Sequence, residues 1–349
     1  MKSSCYCEIE FLKEFANNIP KANPLDNKND FEIWRNFKRL IWEISNLIVD
    51  DRRKLFDWVN ELESVRQQKY AMNEALPDEV QNEYILATSL CKKKQVDSVE
   101  QNELLINEIN FETINPHTVF FLTDTQKCKQ FEEDYGMMFV SNSTKDDSTQ
   151  ILFGYEQSVI SITPNGNYSN YSFLDKYHHP CNAMIINDAY VLTERDDTYE
   201  DNLIAILDLL LPLRLNKTTF KLLILSGDGF RNIDVNHKYS IIKSKIDELR
   251  TYKIELKIIT KKAHHNRDIL TNYLRISVGN KFTLFISKKA SISDDLTVHS
   301  IIGIDSEMIV ATDRKKDYKK IENETQDIGT QKVVMPKEQG GIITNRLLK

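Results

Sequence analysis

Apolar residues recur along this chain at two different periods, and the change of period divides it. From Asp30 to about Lys94 they fall at helical spacing: Ile33, Phe37, Leu40, Ile44 and Leu47 share one face, and Leu55, Val59 and Leu62 share another. The pattern predicts a helical N-terminal region over residues 1–115. "DDRR" (50–53) joins its first two helices, and acidic residues there suit the positive end of the second. Trp34, Trp42 and Trp58, the only tryptophans of the chain, lie in this region at spacings that predict a core.

From residue 116 the texture changes to short β-branched and aromatic runs. "TVFFLT" (118–123), "MMFVS" (137–141) and "TQILFGYEQSVISIT" (149–163) read as strands, and "DTQKCKQFEEDYG" as a short helix ended by Gly136. Residues 116–165 therefore read as a small α/β segment, followed by a polar, turn-rich linker over 163–180. From Cys181 the alternation is clearest. "NAMIINDAYVLT", "FKLLILSG" and "KIELKIIT" read as strands, and "TYEDNLIAILDLLL" and "HKYSIIKSKIDELRTY" as the helices between them. Thr198 and Asp201 have the spacing of a capping box. Such alternation predicts an α/β domain over 116–349, α+β for the chain as a whole, with a mixed sheet, a core at 181–325 and an irregular tail at 326–349.

Composition narrows the function classes. The 349 residues carry a net charge of −6, which gives no global attraction to nucleic acid or anionic lipid, so a polyanion site has to be a local patch. Five cysteines are odd in number and lack paired C-x-x-C spacing, so neither a disulfide framework nor a structural zinc site is predicted. No apolar run reaches the ~20 residues of a membrane span, and the first residues do not read as a signal peptide. A cytoplasmic protein with reduced thiols is the expectation.

Candidate chemistry gathers after two adjacent strands, since open α/β sheets bind ligands at the carboxyl ends of their strands. "SGDGFRNIDVNH" brings Asp228, Arg231 and His237; "KKAHHN" brings Lys261, Lys262, His264 and His265. The run "HHNRDILTNYLRISVGNKF" then sets Arg267 two residues after His265, Asn272 seven after it, and Gly279-Asn280 beyond a second short strand. This spacing resembles the H-x-K-x-x-x-x-D-x-x-x-x-x-x-G-S motif of the phospholipase D superfamily. A closer similarity, over roughly residues 181–290, is to the phospholipase-D-like domain at the C-terminus of MIT-domain proteins, although nothing in 1–115 resembles an MIT helix module.

The resemblance implies one half of a phospholipase D fold, with His265 as nucleophile, Arg267 as the phosphate grip and Asn272 in place of the supporting aspartate. Lys261, Lys262, His264, Arg231, Gly279 and Asn280 would surround the phosphate, and no metal or cofactor would be needed. Arginine keeps a bidentate grip, but asparagine cannot carry the aspartate's charge, which points to a degenerate phosphodiesterase or a binding module. Nucleic acid or an anionic headgroup is the expected partner. With one copy of the motif, an enzyme would have to form a homodimer around the cleft. The reading from a different class is an interaction or regulatory subunit, for instance in a bacterial defence or stress system, whose helical N-terminal region meets a protein partner and whose α/β domain is a scaffold.

Other motifs carry less. "KYHHPC" (176–181) lacks the convergence of a metal site, "RNIDVNH" reads as loop where a ribonuclease R-x-x-x-x-x-H belongs on a helix, and Asp124 reads as a helix cap before it reads as a nuclease carboxylate.

Overall fold

The computed structural model describes residues 4–20, 28–92, 105–153, 158–193, 195–227, 233–261, 267–302, 331–336 and 345–348. It is an α/β fold in two compact units, Met1–Gln130 with Met138–Thr149, and Phe131–Met137 with Gln150–Lys349.

The first unit is built on a four-stranded parallel sheet, order β2-β1-β3-β4, from β1 (Ser4–Cys7), β2 (Asn46–Val49), β3 (Thr118–Phe121) and β4 (Phe139–Val140). The expectation of a helical region over 1–115, with a boundary at 116, is corrected here: β1 and β2 belong to one sheet with β3. Helix α1 (Ile9–Asn17) follows β1, and α2 (Lys28–Arg39) continues into a π-turn over Leu40–Ile44. There Ser45 caps the turn, its Oγ and N–H both donating to the Leu40 carbonyl at 2.7 and 3.2 Å. Its extended ψ of 162° turns the chain into β2. Leu47, grouped with the helical face by spacing, is thus a strand residue paired with Cys5.

The antiparallel pair α3 (Arg52–Ala71) and α4 (Asp78–Lys92) follows, with Asp51 capping α3 through the amides of Arg53 and Lys54. All three tryptophans are buried. Trp34 stacks on Phe15 at 5.5 Å, and the indole N–H groups of Trp42 and Trp58 reach the Leu86 carbonyl and Glu83. Helix α5 (Thr125–Tyr135) is capped by Asp124, which accepts from Gln126 and Lys127, and ends at Gly136 with φ of 59°. Asp124 is therefore a helix cap. A second correction falls at 149–153: these residues finish helix α6 (Lys145–Phe153), and among the described residues of the run Ser158–Ile162 forms the strand.

The second unit carries an eight-stranded mixed sheet, order β14-β8-β7-β6-β9-β10-β13-β5. Its strands are β5 (Ser158–Ile162), β6 (Ala183–Asn187), β7 (Phe220–Gly227), β8 (Ile254–Lys261), β9 (Asp268–Thr271), β10 (Leu274–Val278), β13 (Asp294–Ser300) and β14 (Gln331–Met335). A two-residue hairpin, β11 (Phe285–Ile286) with β12 (Lys289–Ala290), turns through positive φ at Ser287 and Lys288, the requirement of a type I′ turn.

Strands β6, β7 and β8 are parallel neighbours joined through α7 (Ala205–Leu210) and α8 (Val235–Leu249); the other pairings are antiparallel. Parallel strands are buried on both faces, which is why β6 and β7 read as nearly unbroken apolar runs, while β8 (IELKIITK) has Glu255 and Lys257 among its apolar residues. Ala183, Ile185, Leu223, Leu225, Ile259 and Leu270 pack on one face under Ile301, Leu347 and Leu348. Each leucine and isoleucine of this cluster contributes about 1.5–3 kcal/mol on burial. Thr198 makes no capping box; its hydroxyl donates back to the Arg195 carbonyl at 2.8 Å. No described helix is long and apolar enough to cross a membrane.

Candidate functional site

The carboxyl ends of β6, β7 and β8 form one edge. Register sets Asn187 beside Leu225, and Gly227 beside Lys261, so the segments after β7 and β8 leave from the same side of the sheet. Arg231, Lys262, His264 and His265, as well as Asp228, lie outside the described residues, as does the side chain of Lys261. His237 lies in the first turn of α8, with Nε2 3.4 Å from Asp196.

The turn after β6 is stitched to its surroundings by Asp188. Its buried carboxylate accepts from the Tyr190 N–H at 2.9 Å and from the Phe282 N–H at 2.8 Å. Gly227 donates to the Ala189 carbonyl at 3.0 Å, and a Cβ at Gly227 would lie 3.0 Å from that oxygen, so any larger residue would press the two strand ends apart by a few tenths of an ångström. This construction fixes Tyr190, and the Arg267 guanidinium sits 5.5 Å from the centre of its ring. Arg267 Nη1 also donates to the Gly279 carbonyl at 3.3 Å.

One residue further on, Asp268 is buried and accepts from Arg275 Nε at 2.8 Å and Ser277 Oγ at 2.7 Å. Its cross-strand neighbour Asn187 is fully buried, and among the described residues neither atom of its carboxamide has a hydrogen-bond partner. Sequence reasoning missed Asn187, Asp188, Tyr190 and Asp268. The available signal was the polar pair "ND" directly after the apolar run "AMII".

Two expectations from the motif are corrected by geometry. Asn272 lies at the other end of β9 from Arg267, at the amino end of β6. There its Oδ1 accepts from the amides of Asn182 and Ala183 at 2.9 and 3.2 Å, and its Nδ2 donates to Asn182 Oδ1 at 3.1 Å. The four residues of β9 span roughly 13 Å, so Asn272 aligns strands and does not orient a group at the carboxyl edge. Gly279 and Asn280 form the expected turn, but their N–H groups both donate to Asp294, at 3.0 Å to Oδ1 and 2.8 Å to Oδ2.

His179, from the "KYHHPC" run, belongs to the Asn272 end. Its Nδ1 donates to the Tyr177 carbonyl at 2.7 Å, which sets the tautomer, and its Nε2 accepts from Thr271 Oγ1 at 2.8 Å. Burial, with His178 adding to it, pushes its pKa down to about 4. Cys181 is a buried free thiol pushed up to about 12 by the same desolvation.

Arg267 is thus held at the carboxyl edge by an aromatic ring and a carbonyl, whereas Asn272 and the Gly279-Asn280 amides have internal partners. No family model matches the chain, and no curated protein matches its sequence.

Proposed function

We propose that the second unit is a phosphate-recognising module, resembling a degenerate phospholipase D half, that binds polyanions without turning them over. One observation carries the reading. Gly227 and Lys261 are partners at the ends of adjacent parallel strands, and Arg267 immediately precedes β9, which runs back beside β6 from the same edge. The Arg267 guanidinium is held over the Tyr190 ring at this edge, and a planar guanidinium suits phosphate oxygens. Asn272 argues for binding over hydrolysis, because the residue in the supporting position of the motif is committed to strand alignment.

The test is salt-dependent binding of single-stranded DNA, RNA and anionic vesicles, run beside hydrolysis of bis-(p-nitrophenyl) phosphate in EDTA. Arg267→Lys is expected to weaken polyanion binding by about fivefold to tenfold at unchanged melting temperature, since lysine keeps the charge but not the paired donors. Metal-independent turnover by the wild type would refute the non-catalytic part. Salt-independent or absent binding would refute the whole.

A second reading, docking of a protein partner, is favoured by α3 and α4 of the first unit. Phe56, Val65, Tyr70 and Ile85, with Met72 just beyond α3, expose large apolar side chains there.

A further inference from the structure

We infer that Asp294 is an internal competitor seated in the anion position of the Gly279-Asn280 turn, so that an incoming phosphate has to displace it. This regulation of the site rests on the phosphate-recognition reading above. The carboxylate takes one N–H on each oxygen from two successive residues, Gly279 to Oδ1 at 3.0 Å and Asn280 to Oδ2 at 2.8 Å. The Asp295 N–H adds a third bond to Oδ1, at 2.9 Å. Consecutive backbone amides converging on one oxyanion are the arrangement by which loops hold phosphate, and a phosphate oxygen pair matches a carboxylate in charge and spacing.

Two further features place this turn in the candidate site. The Arg267 guanidinium is bonded to the Gly279 carbonyl, so the arginine and the two amides lie at the same end of the β9–β10 hairpin. A Cβ at Gly279 would also fall on the carboxylate, 2.6 Å from Asp294 Oδ1, so the glycine is what admits the oxyanion this close to the backbone. Asp294 comes from the first residue of β13 and is only half-buried, so when displaced it can return to water without leaving a charge in the core.

The consequence is a gain of binding on removing a carboxylate. Asp294→Ala frees both amides, and the variant is expected to bind inorganic phosphate and sulfate about tenfold more tightly than the wild type. It should also melt earlier than the wild type without these anions and recover with them. Because both anions stabilise many proteins by exclusion, the quantity read is the difference between variant and wild type at equal ionic strength. The double variant Asp294→Ala with Gly279→Ala puts a methyl where the oxyanion would sit, and is expected to lose the gain.

Asp294→Asn guards against misfolding: it removes the charge, keeps one acceptor for the turn, and is expected to show a smaller gain in calorimetric phosphate binding. If neither Asp294→Ala nor Asp294→Asn binds phosphate more tightly than the wild type, or if the gain survives Gly279→Ala, Asp294 is a turn clamp and the inference is overturned. Arg267-dependent polyanion binding by the wild type with no gain in the Asp294 variants would leave the proposed function standing and remove only this inference. A gain in those variants with no wild-type polyanion binding would do the reverse.

Discussion

Replacing Asn272 by aspartate restores the residue that the phospholipase D motif has at this position, and the structure predicts that it damages the fold without creating activity. The carboxamide sits with no solvent exposure, accepting two amides of the β6 start on Oδ1 and donating from Nδ2 to Asn182 Oδ1 at 3.1 Å. In Asn272→Asp the donor becomes an oxygen facing another oxygen. Asn182 cannot simply flip, because its own Nδ2 donates to the Tyr135 carbonyl at 2.7 Å. Protonating the new carboxyl restores the missing donor, so burial and the facing oxygen raise its folded-state pKa, while the two amides moderate the rise.

A net rise of about two units above the unfolded value near 3.9 costs about 3 kcal/mol at neutral pH. The sign follows from proton counting. The folded variant holds more protons than the unfolded chain between the two pKa values, so stability is intact below about pH 4, falls as pH rises toward about 6, and is flat above. Urea denaturation of variant and wild type at about pH 4.5 and about pH 7.5 measures this, with the difference between them expected to be larger at the higher pH. A pH-independent difference near zero, or new metal-independent hydrolysis of bis-(p-nitrophenyl) phosphate, would refute the structural role of Asn272.

Other outcomes follow from the same two ends of the sheet. Asn187→Leu removes a fully buried, unpartnered carboxamide at nearly constant volume and is expected to raise stability by about 1–2 kcal/mol, read as a higher melting temperature; a lower one would mean that the amide has a partner in solution. His179, depressed to about 4, binds fewer protons folded than unfolded, so the wild type is expected to lose about 3 kcal/mol as pH falls from about 6.5 to about 4. His179→Gln should remove that slope, and an unchanged slope would assign the acid loss to other groups. Phe56→Glu should leave the melting temperature unchanged, because Phe56 is 44% exposed, and should abolish capture of any partner that uses the α3 surface.

How much of this was legible in the sequence depended on whether a pattern was local. The strands β6 and β7 were readable because burial on both faces leaves apolar runs such as "KLLILSG", and α8 because fifteen residues show a full helical period. The parallel sheet of the first unit was not. β2 has four residues, too few for an alternation to stand against the helical period that precedes it, and its pairing with β1 joins residues more than forty positions apart. At the candidate site, Arg267 was legible as a polar residue before a strand. Its neighbours were misassigned because the motif counts residues along the chain, while chemistry depends on which end of a strand each residue occupies.

Asn272 is five residues from Arg267 yet at the opposite end of β9, whereas Asp294, fourteen residues beyond Asn280, folds back into bonding distance of it. A spacing motif therefore carries functional meaning only for positions on the same sheet edge. By that criterion Arg267 and the Gly279-Asn280 turn form one unit, joined through the Gly279 carbonyl, and Asn272 belongs with His179 and Asn182 to the alignment of β6 and β9.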